Sequence, residues 1–143
     1  MRSLRVALLI PLVLALAAQA RPADPARARL SKRERIALCE KKKDVPLAPG
    51  DPQPLDFKGS SMNRPVLIRR TDFKAEASSL RGFVLLEAVI DEDGCVRQAT
   101  VVKGAGTILA TAAVKSIRRW VFEPATRDGH PVRVKYLLTV NSE

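Results

Sequence analysis

Two cysteines, one histidine and one tight cluster of carboxylates are the residues of this 143-residue chain whose types could do chemistry. Cys39 lies in a basic, helix-patterned run and Cys95 follows a turn sequence, so each belongs to a separate element. In an oxidising compartment a disulfide between them would close a loop of more than fifty residues and staple the upstream helix to a hairpin. Two buried, unpaired thiols are the alternative, because sequence does not fix the geometry between them. The run Asp91, Glu92, Asp93, Gly94 offers oxygen ligands for calcium, but the further ligands and closing Glu of a calcium loop are missing. The same four residues make a tight hairpin turn, since Asp side chains bond nearby amides and Gly accepts positive φ. His130 has no Cys or Ser placed by sequence to form a nucleophile pair. Glu87 and Glu123 could be imagined as paired acids, yet one falls in a strand pattern and the other at a helix stop, and no glycine-rich loop cradles phosphate. The chain is read as a non-enzyme with no metal and no cofactor.

The elements that position these residues follow from apolar spacing. Thr71–Leu80 reads as a short helix, with Phe73, Ala77 and Leu80 on one face and Gly82 ending it. Phe83–Ile90 is apolar at every position but Glu87, which places it in the middle of a sheet. After the acidic turn, Cys95–Lys103 returns as an antiparallel strand. Gly104 and Gly106 break it, Thr107 can cap a helix, and Ile108, Leu109, Ala112, Ala113, Ile117 and Trp120 recur at helical spacing to face the sheet. Lys115, Arg118 and Arg119 then face water. Pro124 stops the helix after Trp120, Val121, Phe122 and Glu123, whose two aromatics read as core. Asp128–Gly129 makes the next turn, and Val132–Val140 alternates strictly as the last strand. A helix between the second and third strands makes the third antiparallel to the first. The expected architecture is α+β: a small three-stranded antiparallel sheet of order 2-1-3, with helices packed on one face and Val132–Val140 on an edge.

Upstream the pattern changes. Arg2 and Arg5 precede an apolar stretch from Val6 to Ala18, and Ala18, Gln19, Ala20 supply a small-x-small site, so residues 1–20 read as a signal peptide cleaved after Ala20. Thirteen apolar residues containing Pro11 fall short of the ~20 that cross a bilayer, which disfavours an inner-membrane anchor. Export to the periplasm is the expected localisation. Without those residues the formal charge falls from +10 to +8, split evenly about residue 64. Residues 21–63 hold most of the prolines: Leu30–Lys43 reads as one basic helix, and Val45–Phe57 as an extended tether. The domain is placed at 64–143. The Lys32–Lys43 run could hold an anionic membrane or cell-wall surface, or be a solvated helix face. With 4% aromatic residues and no stacking platform, nucleic acid is excluded as a partner.

Gly82, Val84, the Asp91–Gly94 turn with Val96, the Val101 and Val102 pair, Leu109, Ala112 and Ala113, then Trp120, Phe122, Pro124, Ala125, Gly129, Pro131 and the alternating last strand form one ordered constellation. Over roughly residues 64–141 it resembles the C-terminal domain of TonB, the periplasmic energy transducer. Departures are Phe73 and Lys74 where the family usually has Tyr and Pro, Ala110 for an Asp, and Ser142 for a terminal Phe. Only residues 45–57 resemble the family's Pro-rich spacer. The resemblance implies a protein-interaction module in TonB-dependent transport that takes an extended peptide, from an outer-membrane transporter or another periplasmic protein, by strand addition at Val132–Val140. It points to Arg133, Lys135, Leu137 and Thr139 as partner-binding positions, and a homodimer through edge strands is a further option. The bland reading is that Arg133 and Lys135 solvate an edge and Leu137 completes packing.

Overall fold

The computed structural model describes residues 29–57, 61–72, 81–104 and 106–142. The expected signal peptide and most of the Thr71–Leu80 helix lie outside them. The described residues form two helices, α1 (Lys32–Lys42) and α2 (Thr107–Ile117). Their strands are β1 (Leu55–Asp56), β2 (Val66–Arg69), β3 (Gly82–Ile90), β4 (Val96–Gly104), β5 (Val121–Glu123), β6 (Thr126–Arg127), β7 (His130–Pro131) and β8 (Val134–Ser142).

The apolar β3 run sits between β4 and β8 and pairs antiparallel with both, Val84 opposite Val140 and Ile90 opposite Val134. The expected three-stranded 2-1-3 sheet is nonetheless incorrect in its strand count and order. The sheet has four strands in the order β1-β8-β3-β4, and β1 comes from the segment expected to be an extended tether. Two short ribbons, β2 with β5 and β6 with β7, complete the strand pairing among the described residues. The β6–β7 turn uses Asp128 and Gly129 at φ 52 and 78, the two left-handed positions a two-residue hairpin requires.

One face of the sheet is core because the pleat alternates. Val84, Leu86, Ala88 and Ile90 of β3 and Val134 and Val140 of β8 are buried with Leu109, Ala113 and Ile117 of α2. Each such large side chain contributes about 1.5–3 kcal/mol by leaving water. Trp120 and Phe122 join this cluster, and the Trp120 indole N–H donates to the Thr71 carbonyl at 3.0 Å. The expected sheet-facing stripe of α2 is corrected at one position: Ile108 is 63% exposed, because it precedes Leu109 in the first turn and points off the packed face. Thr107 is not the cap either. Gly106 holds that place at φ 48, where a glycine is at ease, and no side chain caps the helix.

Candidate binding edge

β8 presents its outer edge to whatever can pair with it. Leu55 N–H donates to the Arg133 carbonyl at 2.9 Å and Phe57 N–H to the Lys135 carbonyl at 3.3 Å, so the odd residues of this stretch point their backbone groups away from β3. The alternation of a ladder carries the same outward aim to Leu137, Thr139 and Asn141. Among the described residues nothing pairs with the outer edge of β8, the side away from β3, beyond Lys135. Leu137 is 58% exposed, and Thr139 and Asn141 are exposed as well, so an open length of edge carries accessible side chains.

The other half of the edge is strapped by the chain itself. The strap begins at α1, which Ser31 starts: its hydroxyl accepts from Glu34 N–H, and the Glu34 carboxylate accepts from Ser31 N–H at 2.9 Å, a capping box. α1 docks on the Asp91–Gly94 turn. Cys39 is disulfide-bonded to Cys95, Arg35 is buried and donates to the Asp93 carbonyl, and the Lys42 ammonium meets Asp91 at 3.3 Å and Asp93 more closely. Burial draws the Arg35 guanidinium below its usual value, opposed by Asp93, Glu123 and Asp91. The carboxylate of Asp91 also accepts from the amides of Asp93 at 3.0 Å and Cys95 at 2.9 Å and pairs with Arg97 at 3.4 Å. The acidic tetrapeptide therefore serves a turn and a docking surface for α1. Replacing Asp91 with alanine would strip two buried amides and Arg97 of their acceptor, and is expected to cost about 3 kcal/mol, read from the urea midpoint.

From α1 the strap passes Arg97, which donates to the carbonyls of Val45 at 2.9 Å and Pro46 at 3.3 Å. It then reaches Arg133, which meets the Asp51 carboxylate at 3.5 Å, the Pro52 carbonyl at 3.2 Å and Glu92 at 3.4 Å. β1 follows, parallel to β8, with Leu55 opposite Val134 and Asp56 opposite Lys135. Leu55 and Phe57 pack on the main core, and Phe57 meets Tyr136 edge-to-face at 5.2 Å.

The structure thus separates the residues singled out in the sequence. Cys39 and Cys95 are joined. Lys135, Leu137 and Thr139 line the outer face of β8, but Arg133 does not stand on an open edge: it is 7% exposed and bound to the strap and to Glu92. Sequence reasoning missed Asp51, Leu55 and Phe57 as neighbours of that edge. The alternation of Leu55 and Phe57 about Asp56 was the available signal, and the surrounding prolines hid it.

Three carboxyls among the described residues are held below their ordinary values. Hydrogen bonds from Ser31 lower Glu34, bonds from Arg69 and then Lys43 lower Glu40, and the Ala48 amide, with Arg133 adding to it, lowers Asp51. A depressed folded value gives stability present above the unfolded value and lost as pH falls through the folded one. The melting temperature should therefore drop as pH is lowered below the ordinary values of 4.5 for Glu and 3.8 for Asp, measured by circular dichroism melts from pH 6 to 2.5.

Residues 74–141 match the model of the Gram-negative bacterial TonB protein C-terminal family. Over these residues the chain is similar to a TonB C-terminal domain. No curated protein matches the chain. The TonB C-terminal match takes in β3, β4, α2 and β5 through nearly all of β8, while α1, the strap and β1 lie outside it. The strapped edge is therefore a strand of the matched region paired with a segment from outside it. Among the described residues no helix is long and apolar enough to cross a membrane.

Proposed function

We propose that this chain is a periplasmic, TonB-like interaction module, exported by cleavage after Ala20. It binds an extended peptide of an outer-membrane transporter or another envelope protein by adding it as a strand to β8 in TonB-dependent transport. One observation carries the reading: the backbone groups of Leu137, Thr139 and Asn141 aim outward on an edge that pairs with nothing among the described residues. Backbone groups left so are a template for another strand, and Lys135, Leu137 and Thr139 supply the side chains that choose it. The competing use of the basic helix as an anchor to anionic surfaces is weakened, because Lys42 is committed to Asp91 and Asp93 and Lys43 to Glu40.

Thr139→Pro tests this reading. The substitution removes one outward N–H and leaves the bonds of β8 to β3 in place, as proline allows on an edge. Binding of a synthetic N-terminal transporter peptide, titrated by calorimetry, should weaken by about tenfold or more, which is the loss of roughly 1.4 kcal/mol. The melting temperature should change little. Unaltered affinity in a folded Thr139→Pro protein would remove β8 as the site.

A further inference from the structure

The strap is a strand added to β8 from within the chain, so it shows what the edge accepts. Leu55 and Phe57 turn inward onto the core, Asp56 lies opposite Lys135 in register, and Asp51 and the Pro52 carbonyl reach Arg133. The strap also fits imperfectly. Asp51 stands 3.5 Å from Arg133, longer than the ~2.8 Å of a charge-assisted bond, and Arg133 Nε is buried with no hydrogen-bond partner among the described residues. A carboxylate placed to meet Nε and a terminal nitrogen together would bind this guanidinium better than Asp51 does.

We propose that residues 51–57 are a resident stand-in for the partner: the partner is a peptide running parallel to β8, with an acidic residue about four positions before an apolar-acidic-aromatic triplet, and it displaces the strap to take Arg133. This rests on the strand-addition reading of β8 and extends it to the strapped half of the strand. Arg133, buried while the strap is seated, then becomes a partner-binding residue. A tethered strand competes at a high effective concentration, so its seating lowers the apparent affinity for any peptide in trans by the fraction of time it is seated.

The test uses a fluorescein-labelled peptide of residues 50–58 and the full chain, wild type and with the strap loosened by Asp51→Ala, Leu55→Asp and Phe57→Ala. The peptide should bind the loosened chain about tenfold or more tightly than the wild type, as expected if the strap is seated about nine-tenths of the time. A D51E peptide should bind more tightly still, and Arg133→Ala in the loosened chain should abolish that gain. Phe57→Ala alone is the milder variant if the triple one melts. In the wild type, hydrogen exchange at the Leu55 and Phe57 amides should accelerate when the D51E peptide is added. Equal affinity for both chains, or no binding to the loosened chain, overturns the proposal. A transporter peptide run in parallel separates the failures: if it binds both chains alike and remains sensitive to Thr139→Pro, strand addition stands and the strap is a permanent part of the fold, whereas if neither peptide binds either chain both readings fall.

Discussion

Loss of the Cys39–Cys95 disulfide, by Cys39→Ser with Cys95→Ser or by reductant, should lower stability by about 4 kcal/mol. The two residues are 56 apart in sequence, and the chain entropy released to the unfolded state by opening a loop of that size is on this order. For a domain of this size that is a drop in melting temperature of order 10–20 °C. The loss should also be directional. Among the described residues the Cys39–Cys95 cluster contains only Val121 besides, with Ile36 and Ile68 against it, so α1 has little apolar burial there to hold it once the bond is gone. Arg35 and Lys42 would remain as its polar contacts to the turn. Hydrogen exchange should therefore rise first in 32–42 and only later in β3, as local opening precedes global unfolding. A reduced protein with an unaltered midpoint would show that docking of α1 does not need the bridge.

Gly94→Ala should be as damaging by a different route. Gly94 closes the acidic turn at φ 85, where an L side chain is strained by about 1–2 kcal/mol. A Cβ there would lie 1.8 Å from the Phe122 carbonyl oxygen, a backbone atom that cannot swing aside. The Gly94 carbonyl also accepts from Phe122 N–H at 2.9 Å, and Cys95 bridges to Val121, so the turn and β5 are bonded where the methyl would intrude. Strain, steric overlap and the weakened bond together are expected to exceed 4 kcal/mol, among the largest effects of a single substitution. The measurement is a guanidinium unfolding curve beside Gly129→Ala as control. Gly129 also has positive φ but nothing within 4 Å of its would-be Cβ, so it should lose only the conformational part. Equal losses at the two glycines would mean that the approach of Phe122 is not tight.

How much of this was legible in the sequence depends on the range of the interaction. The Asp91–Gly94 and Asp128–Gly129 turns, the central place of Phe83–Ile90 and the burial of Trp120 and Phe122 are written locally, in turn chemistry and apolar spacing. β1 is not. It is two residues long, follows Pro54, and is defined by parallel pairing with Val134 and Lys135 far along the chain. Arg133 shows the same limit: a charge in an alternating strand reads as a solvated edge until Asp51 and Pro52 are seen to lie on it. Gly106 takes the cap from Thr107 because its positive φ sets the entry into α2, and backbone angle leaves no mark in composition. The disulfide was legible as a pairing of two cysteines, but what it holds in place, the start of a strap that ends on the outer edge of β8, was not.

The most direct measurement of the central claim is residue-resolved amide exchange of the full chain with and without a synthetic N-terminal transporter peptide. Strand addition at β8 predicts that Leu137, Thr139 and Asn141, whose N–H groups aim outward, become protected while the amides between β3 and β8 stay as they were. Protection that appears instead along β4, or no change at any β8 amide under saturating peptide, would contradict it.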